Sequence, residues 1–144
     1  MTQTHEFLPG HGTSLVRFGM TPDEVAKALG PIRKSRRNKK DHLVEYRDDG
    51  SRVEYSQSEG VLEMSFAKPT RLMLGTTDLL AGNPVELLMT LDDEPMEEVG
   101  FLMFFKIGLA MTGLHDGKKS QEAITLFRDG TWPRHDAKPY KPSA

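Results

Sequence analysis

Two helix starts of one design, 62 residues apart, constrain this chain more than any other feature. Thr21-Pro22-Asp23-Glu24 and Asn83-Pro84-Val85-Glu86 share a cap–Pro–x–Glu pattern. In the first, the Thr21 hydroxyl can accept a free backbone N–H of the first turn. Pro22 suits the first helical position, where no N–H is needed. Glu24 completes a capping box, and Gly30-Pro31 stops the helix. Val25, Ala28 and Leu29 leave one narrow apolar stripe, so so short a helix needs another layer to lie on. Val85, Leu87, Leu88 and Leu91 give the second helix its own stripe.

Strand patterns follow each helix. His42 to Tyr46, Arg52 to Tyr55 and Val61 to Ala67 alternate, separated by turns at Asp48-Asp49-Gly50 and Ser56 to Gly60. In the third, Leu62, Met64 and Phe66 oppose Glu63 and Ser65. After the second helix come Gly100 to Lys106, Gly108 to Thr112 and Glu122 to Arg128, with a polar loop at His115-Asp116-Gly117-Lys118-Lys119. The middle and last strands repeat at about 57 and 61 residues, close to the helix spacing, which is the mark of internal duplication. The expectation is an α+β fold of two tandem α-β-β-β halves, residues 14–69 and 70–132. Their strands join in a curved antiparallel sheet of about six strands with the helices packed on one face. Glu45, Arg47, Arg52, Glu54, Glu63 and Ser65 would then form a polar opposite face. Phe101 to Phe105 is apolar at every position, as in a strand buried on both sides or one carrying an interaction patch. Residues 1–13 read as a flexible N-terminal arm, Leu15 to Phe18 as an extended lead-in, and residues 133–144 as a flexible tail unless Trp132 or Tyr140 packs back.

Nineteen basic and 21 acidic side chains give a net charge of −2, which argues against a general nucleic-acid binder. The absence of cysteine excludes disulfides, thiolate chemistry and cysteine-ligated zinc. The longest apolar run, Phe101 to Phe105, is far too short to span a bilayer, so a soluble cytoplasmic protein without a membrane partner is expected. His5, His11, His42, His115 and His135 are scattered, with no His-Glu-x-x-His spacing, and neither metal nor other cofactor is expected. His115-Asp116 has the form of half a general-base pair but lies in a turn without a nucleophile. No enzyme is expected.

Charge marks the candidate contact residues. Arg33, Arg36, Arg37, Lys39 and Lys40 crowd the stretch after the first helix. Asp92, Asp93, Glu94, Glu97 and Glu98 crowd the corresponding stretch after the second. Both read as solvated loops at equivalent corners of the halves. Such patches orient docking to an oppositely charged protein, and an acidic loop suits the basic cleft of a nucleic-acid-directed enzyme. Paired between copies, the two loops would make a dimer. The basic run has no interleaved aromatics, which counts against a stacking site for single strands. A small nucleic-acid- or nucleotide-binding regulator acting through residues 33–40 is the alternative reading.

Gly19-Met20-Thr21-Pro22-Asp23-Glu24-Val25 with Leu29-Gly30-Pro31 resembles the Gly-Met-Thr-x-x-Glu-Val…Leu-Gly-x-Pro signature of the small outer-membrane assembly lipoproteins. That helix-plus-sheet unit is doubled in the β-lactamase inhibitor protein. Phe104 to Ala110 and Thr125 to Gly130 resemble small bacterial immunity partners of secreted toxins. With no cysteine to lipidate or to bridge, neither the envelope role nor the β-lactamase target carries over. The resemblance implies a doubled fold that binds another protein: an immunity protein covering the active site of a cognate bacterial toxin, with no cofactor.

Overall fold

A computed structural model describes residues 3–133 and 137–141. The elements are β1 (Thr4–Leu8), β2 (Gly12–Thr13), α1 (Pro22–Leu29), β3 (Lys34–Arg37), β4 (Leu43–Tyr46), β5 (Arg52–Ser56) and β6 (Gly60–Phe66). There follow β7 (Arg71–Leu74), β8 (Thr77–Asp78), α2 (Val85–Met89), β9 (Met96–Glu98), β10 (Phe101–Phe104) and β11 (Leu109–Thr112). A 3₁₀ turn (Lys119–Gln121), β12 (Ala123–Phe127) and β13 (Lys138–Pro139) complete the chain. Nine strands form one antiparallel sheet in the order β13-β9-β10-β11-β12-β6-β5-β4-β3. Four form a second, mixed sheet, β2-β1-β7-β8, in which β1 and β7 run parallel.

The expected six-stranded sheet with helices on one face is therefore corrected. Three segments read as loop or tail are strands of the large sheet. The basic run forms β3, whose four residues pair with β4 yet are all exposed. The acidic stretch ends in β9. The tail does not hang free: β13 pairs with β9, and the Tyr140 N–H donates to the Pro95 carbonyl at 2.9 Å. The supposed N-terminal arm is β1 and β2, with His5 and Phe7 buried. At β3 charge misled because an edge strand carries charge without penalty, the charges keeping other chains off its open side. Of the tail, residues 134–136 and 142–144, and with them His135, lie outside the described residues.

One apolar layer joins the two sheets and both helices. Phe7 and Leu72 of the small sheet, Val25 and Leu29 of α1, and Val85 and Leu88 of α2 share a cluster with Val53, Met64, Phe104, Leu109 and Leu126 of the large sheet. Helix α1 forms as its local signals require. Thr21 accepts from the Glu24 N–H at 3.2 Å while Glu24 accepts from the Thr21 N–H at 3.0 Å, a cap worth about 1 kcal/mol. Helix α2 is weaker, five residues long, with Asn83 accepting only from the Val85 N–H.

The far face of the large sheet, here the outer face, differs from the expected polar surface. Met103, Phe105, Ala110 and Phe127 make a second apolar cluster there, covered by Met96, Trp132 and Ala137. Arg52, Glu54, Glu63 and Ser65 do lie on this face, but Glu45 does not. It stands opposite Val53 and binds the buried Tyr55 hydroxyl on the core side, with Arg47 beside it. A β-bulge shifts the β5–β6 register so that Glu54 faces Glu63 while Tyr55 faces Val61. Leu62 is the extra residue, and it lines an outer-face groove instead of joining Met64 and Phe66 in the core.

His5 is fully buried, its Nδ1 2.7 Å from the Thr13 hydroxyl and its ring 4.4 Å from Phe66. Burial lowers its pKa to about 4, against an opposing pull from Asp49. The folded ring stays neutral, whereas an unfolded one takes a proton below about pH 6.5. Its contribution is complete above that pH and disappears as the pH falls toward 4, a loss of about 3 kcal/mol. Urea titrations across this window should show that slope in the native protein and a flatter one in His5→Gln.

Candidate partner-binding surfaces

The structure separates the ten charged residues singled out in the sequence. The basic set sits at one end of the nine-stranded sheet and the acidic set near the other, with six strands between β3 and β9. At the basic end Lys34 and Arg36 both lie over the Tyr46 ring, 5.1 and 5.9 Å from its centre, and the Arg36 Nε donates to the Tyr46 hydroxyl at 3.0 Å. Arg37 donates to the Asp41 carbonyl at 3.1 Å. Arg33 is exposed before the strand, its backbone N–H bound to the Tyr46 carbonyl. Lys39 and Lys40 ride a turn pinned by Asn38, whose side-chain oxygen accepts from the Lys40 and His42 N–H groups, both at 3.0 Å.

The acidic set divides further. Asp92 is buried and structural, accepting from the Glu94 and Lys106 N–H groups at 2.9 and 3.0 Å. Asp93 and Glu94 are paired with the Lys106 ammonium at 3.4 and 2.7 Å, and the Glu94 hydrogen bond raises the pKa of that lysine. Glu97 and Glu98 line a concave surface.

That surface is a groove of about 840 Å³ beside the β9–β10 hairpin. Phe101 and Tyr140 supply aromatic area; Lys138 and Lys141 of the tail and Asp116 and Lys118 of the 115–118 loop supply charge. His115 lines it with a side chain only 9% exposed; its Nε2 is 4.0 Å from Asp116, and its Nδ1 has no partner among the described residues. At the hairpin tip Glu98 pairs with Phe101, leaving Val99-Gly100 as a two-residue turn with φ of 39° and 84°. Turns of this kind want Asn-Gly, since both central residues need positive φ. A β-branched residue there is strained. Val99 is also 94% exposed, and Phe101 beside it is 37% exposed. This tip could be foreseen in the sequence only as the apolar run it begins.

A second concavity, about 370 Å³, opens on the outer face. Its floor is a closed polar network. Glu54 accepts from His42 at 2.8 Å and Asn38 at 3.1 Å, and Arg52 bridges Glu54 and Glu63. Burial works against charge on Glu54, but those hydrogen bonds and the Arg52 cation outweigh it and hold the carboxyl below its ordinary range. Trp132 walls this groove. Its indole N–H donates to Glu63 at 2.5 Å, and its ring stacks on Phe127 at 4.9 Å. Among the described residues no group of three or more His, Asp or Glu side chains could hold a metal ion.

No family model, curated protein or solved structure matches this chain. Its geometry therefore stands alone. No helix among the described residues is long and apolar enough to cross a membrane.

Proposed function

We propose that this chain is a non-enzymatic protein-binding module, an immunity-type protein that acts in the cytoplasm and covers the active site of a cognate bacterial toxin. The observation that carries the reading is Val99: a β-branched side chain in left-handed backbone, almost wholly exposed, beside Phe101 and a wide groove. Strain of this kind is worth of order 1 kcal/mol or more and persists where function retains it. Protein interfaces centre on a few apolar and aromatic anchors with a charged rim. Val99, Phe101 and Tyr140 fit the first description; Glu97, Glu98, Asp116 and the three lysines fit the second. Their mixed signs suit selection of one partner by matched charge more than capture of any basic surface. The resemblance to immunity proteins points the same way.

The product of the adjacent upstream gene is the partner to test. Co-purification with this chain, and protection of cells from that product, are the expected results. Neither binding nor protection would remove the proposal. Phe101→Ala should weaken the complex by about 2 kcal/mol, roughly thirtyfold, measured by calorimetry.

A further inference from the structure

The outer-face groove and the basic turn meet near Trp132, whose ring also meets Phe101 of the hairpin edge-on. The basic run has no aromatic neighbours in sequence, yet the fold brings Trp132, more than ninety positions on, to line the same groove as Lys39 and Lys40. We propose that this groove binds a nucleoside phosphate, its base against the indole of Trp132 and its phosphate on Lys39 and Lys40.

Three features carry this. First, the indole is held in advance. Phe127 stacks on the ring, Phe101 meets it edge-on with centroids 5.4 Å apart, and Glu63 fixes the N–H edge, so the indole that lines the groove is held in place. Stacking on such a platform is tolerant of base identity and gains from a ring that need not reorient. Second, both lysines are exposed and make no ion pair with a carboxylate among the described residues. They are presented by a turn that Asn38 makes rigid. Lys34 and Arg36 over Tyr46 extend the positive field along the same edge of the sheet. Third, the carboxylates that would repel a phosphate are already engaged. Arg52 binds both Glu54 and Glu63, and His42 and Asn38 bind Glu54. Two carboxylates against one guanidinium leave the floor at one negative charge before His42 is counted. The two rim lysines reverse that sign where the phosphate would sit. A volume near 370 Å³ is within the range of small-ligand sites. The unit could come from a free nucleotide or from a single strand, which present the same chemistry.

The protein has one tryptophan and it lines this groove, so its fluorescence reports on occupancy there. Titration of the intact protein with adenosine monophosphate should give saturable quenching that weakens with salt, exceeds that by adenosine, and is absent with inorganic phosphate. In the Lys39→Ala/Lys40→Ala double variant, whose packing is untouched, affinity should fall about tenfold. The slope of log affinity against log salt should shrink by about 1 per lysine. A short oligonucleotide that binds much more tightly than the mononucleotide identifies a strand as the source; equal affinity identifies the free nucleotide. Absence of saturable quenching by both ligands, or quenching that the double variant leaves unchanged, overturns the proposal.

Discussion

Replacing Gly60 with alanine should destabilise the fold by about 2 to 5 kcal/mol, a large share of what a domain of this size possesses. Two costs add. Gly60 has φ of 70°, where an L side chain is disfavoured by about 1–2 kcal/mol. A Cβ there would also lie 2.4 Å from the Gly19 carbonyl oxygen and 2.6 Å from that of Met20. These are backbone atoms, and they are tied down. The Gly19 N–H donates to the Val61 carbonyl and the Val61 N–H to the Met20 carbonyl, both at 3.0 Å. The segment that leads into α1 is thus sewn to the start of β6, and the clash must move one or the other, at about 1–3 kcal/mol. Gly50 is the control. Its φ is 87° but a Cβ there meets nothing within 4 Å, so Gly50→Ala should show the conformational cost alone. Chemical denaturation of the two variants measures the difference; equal losses would mean that the close approach at Gly60 carries no energy.

Glu45→Ala should cost about 3–5 kcal/mol, the penalty for leaving a buried charge without its partner. Arg47 has a side chain only 3% exposed, and among the described residues Glu45 is its one carboxylate, at 3.7 Å. Its Nε donates to the Gly30 carbonyl at 3.1 Å. Gly30 is the C-cap of α1, so the cation meets the negative end of the helix dipole and fastens the helix to the sheet. The Tyr55 hydroxyl donates to Glu45 at 2.7 Å, and burial followed by that carboxylate raises the pKa of the phenol well above its ordinary value. With Glu45 gone, both terminal nitrogens of Arg47, already without hydrogen bonds among the described residues, keep their charge in an apolar site. The double variant Glu45→Leu/Arg47→Met should recover part of the loss, because it removes both charges and leaves only the buried Tyr55 hydroxyl and the Gly30 carbonyl without the hydrogen bonds they made. A cost below about 1 kcal/mol for Glu45→Ala would show that water reaches the pair.

The contrast between α1 and Glu45 shows which parts of this fold were legible. Every signal of α1 is local: a cap, a proline, a glutamate three residues on and a terminal glycine. Each acts as its chemistry requires. Strand faces are legible only while the register is regular. The bulge opposite Glu54 and Tyr55 turns Leu62 outward, and nothing in the alternation of Val61 to Phe66 announces it. Glu45 and Arg47 read as solvent-facing because charge is normally exposed; here a phenol and a helix end make burial tolerable. The run 33–40 read as a loop for its charge alone, although an edge strand tolerates that charge equally well. Long-range pairing was out of reach altogether. No local pattern tells that His5 lies opposite Leu72, or that Lys138 returns to Glu97.

The sites follow the same division. Glu97 and Glu98 were singled out by charge and do line the hairpin groove. Asp92 was singled out by charge and is buried, because its carboxylate organises the loop before β9. His115, Phe101 and Tyr140 come from separate segments and meet only in the folded chain. Lys39 and Lys40 gain an aromatic wall only when Trp132 crosses the outer face.

Val99→Asn places the two claims about the hairpin in opposition within one protein. Asparagine suits the positive φ that valine resists, so the variant should unfold about 3 °C higher, a gain of about 1 kcal/mol. It also removes the exposed apolar anchor. The decisive measurement is the affinity of wild type and variant for the product of the adjacent upstream gene, read alongside their melting temperatures. A stabilised variant that binds at least about tenfold more weakly is the predicted result. A stabilised variant that binds as tightly as the wild type would contradict the assignment of this groove as the partner-binding surface.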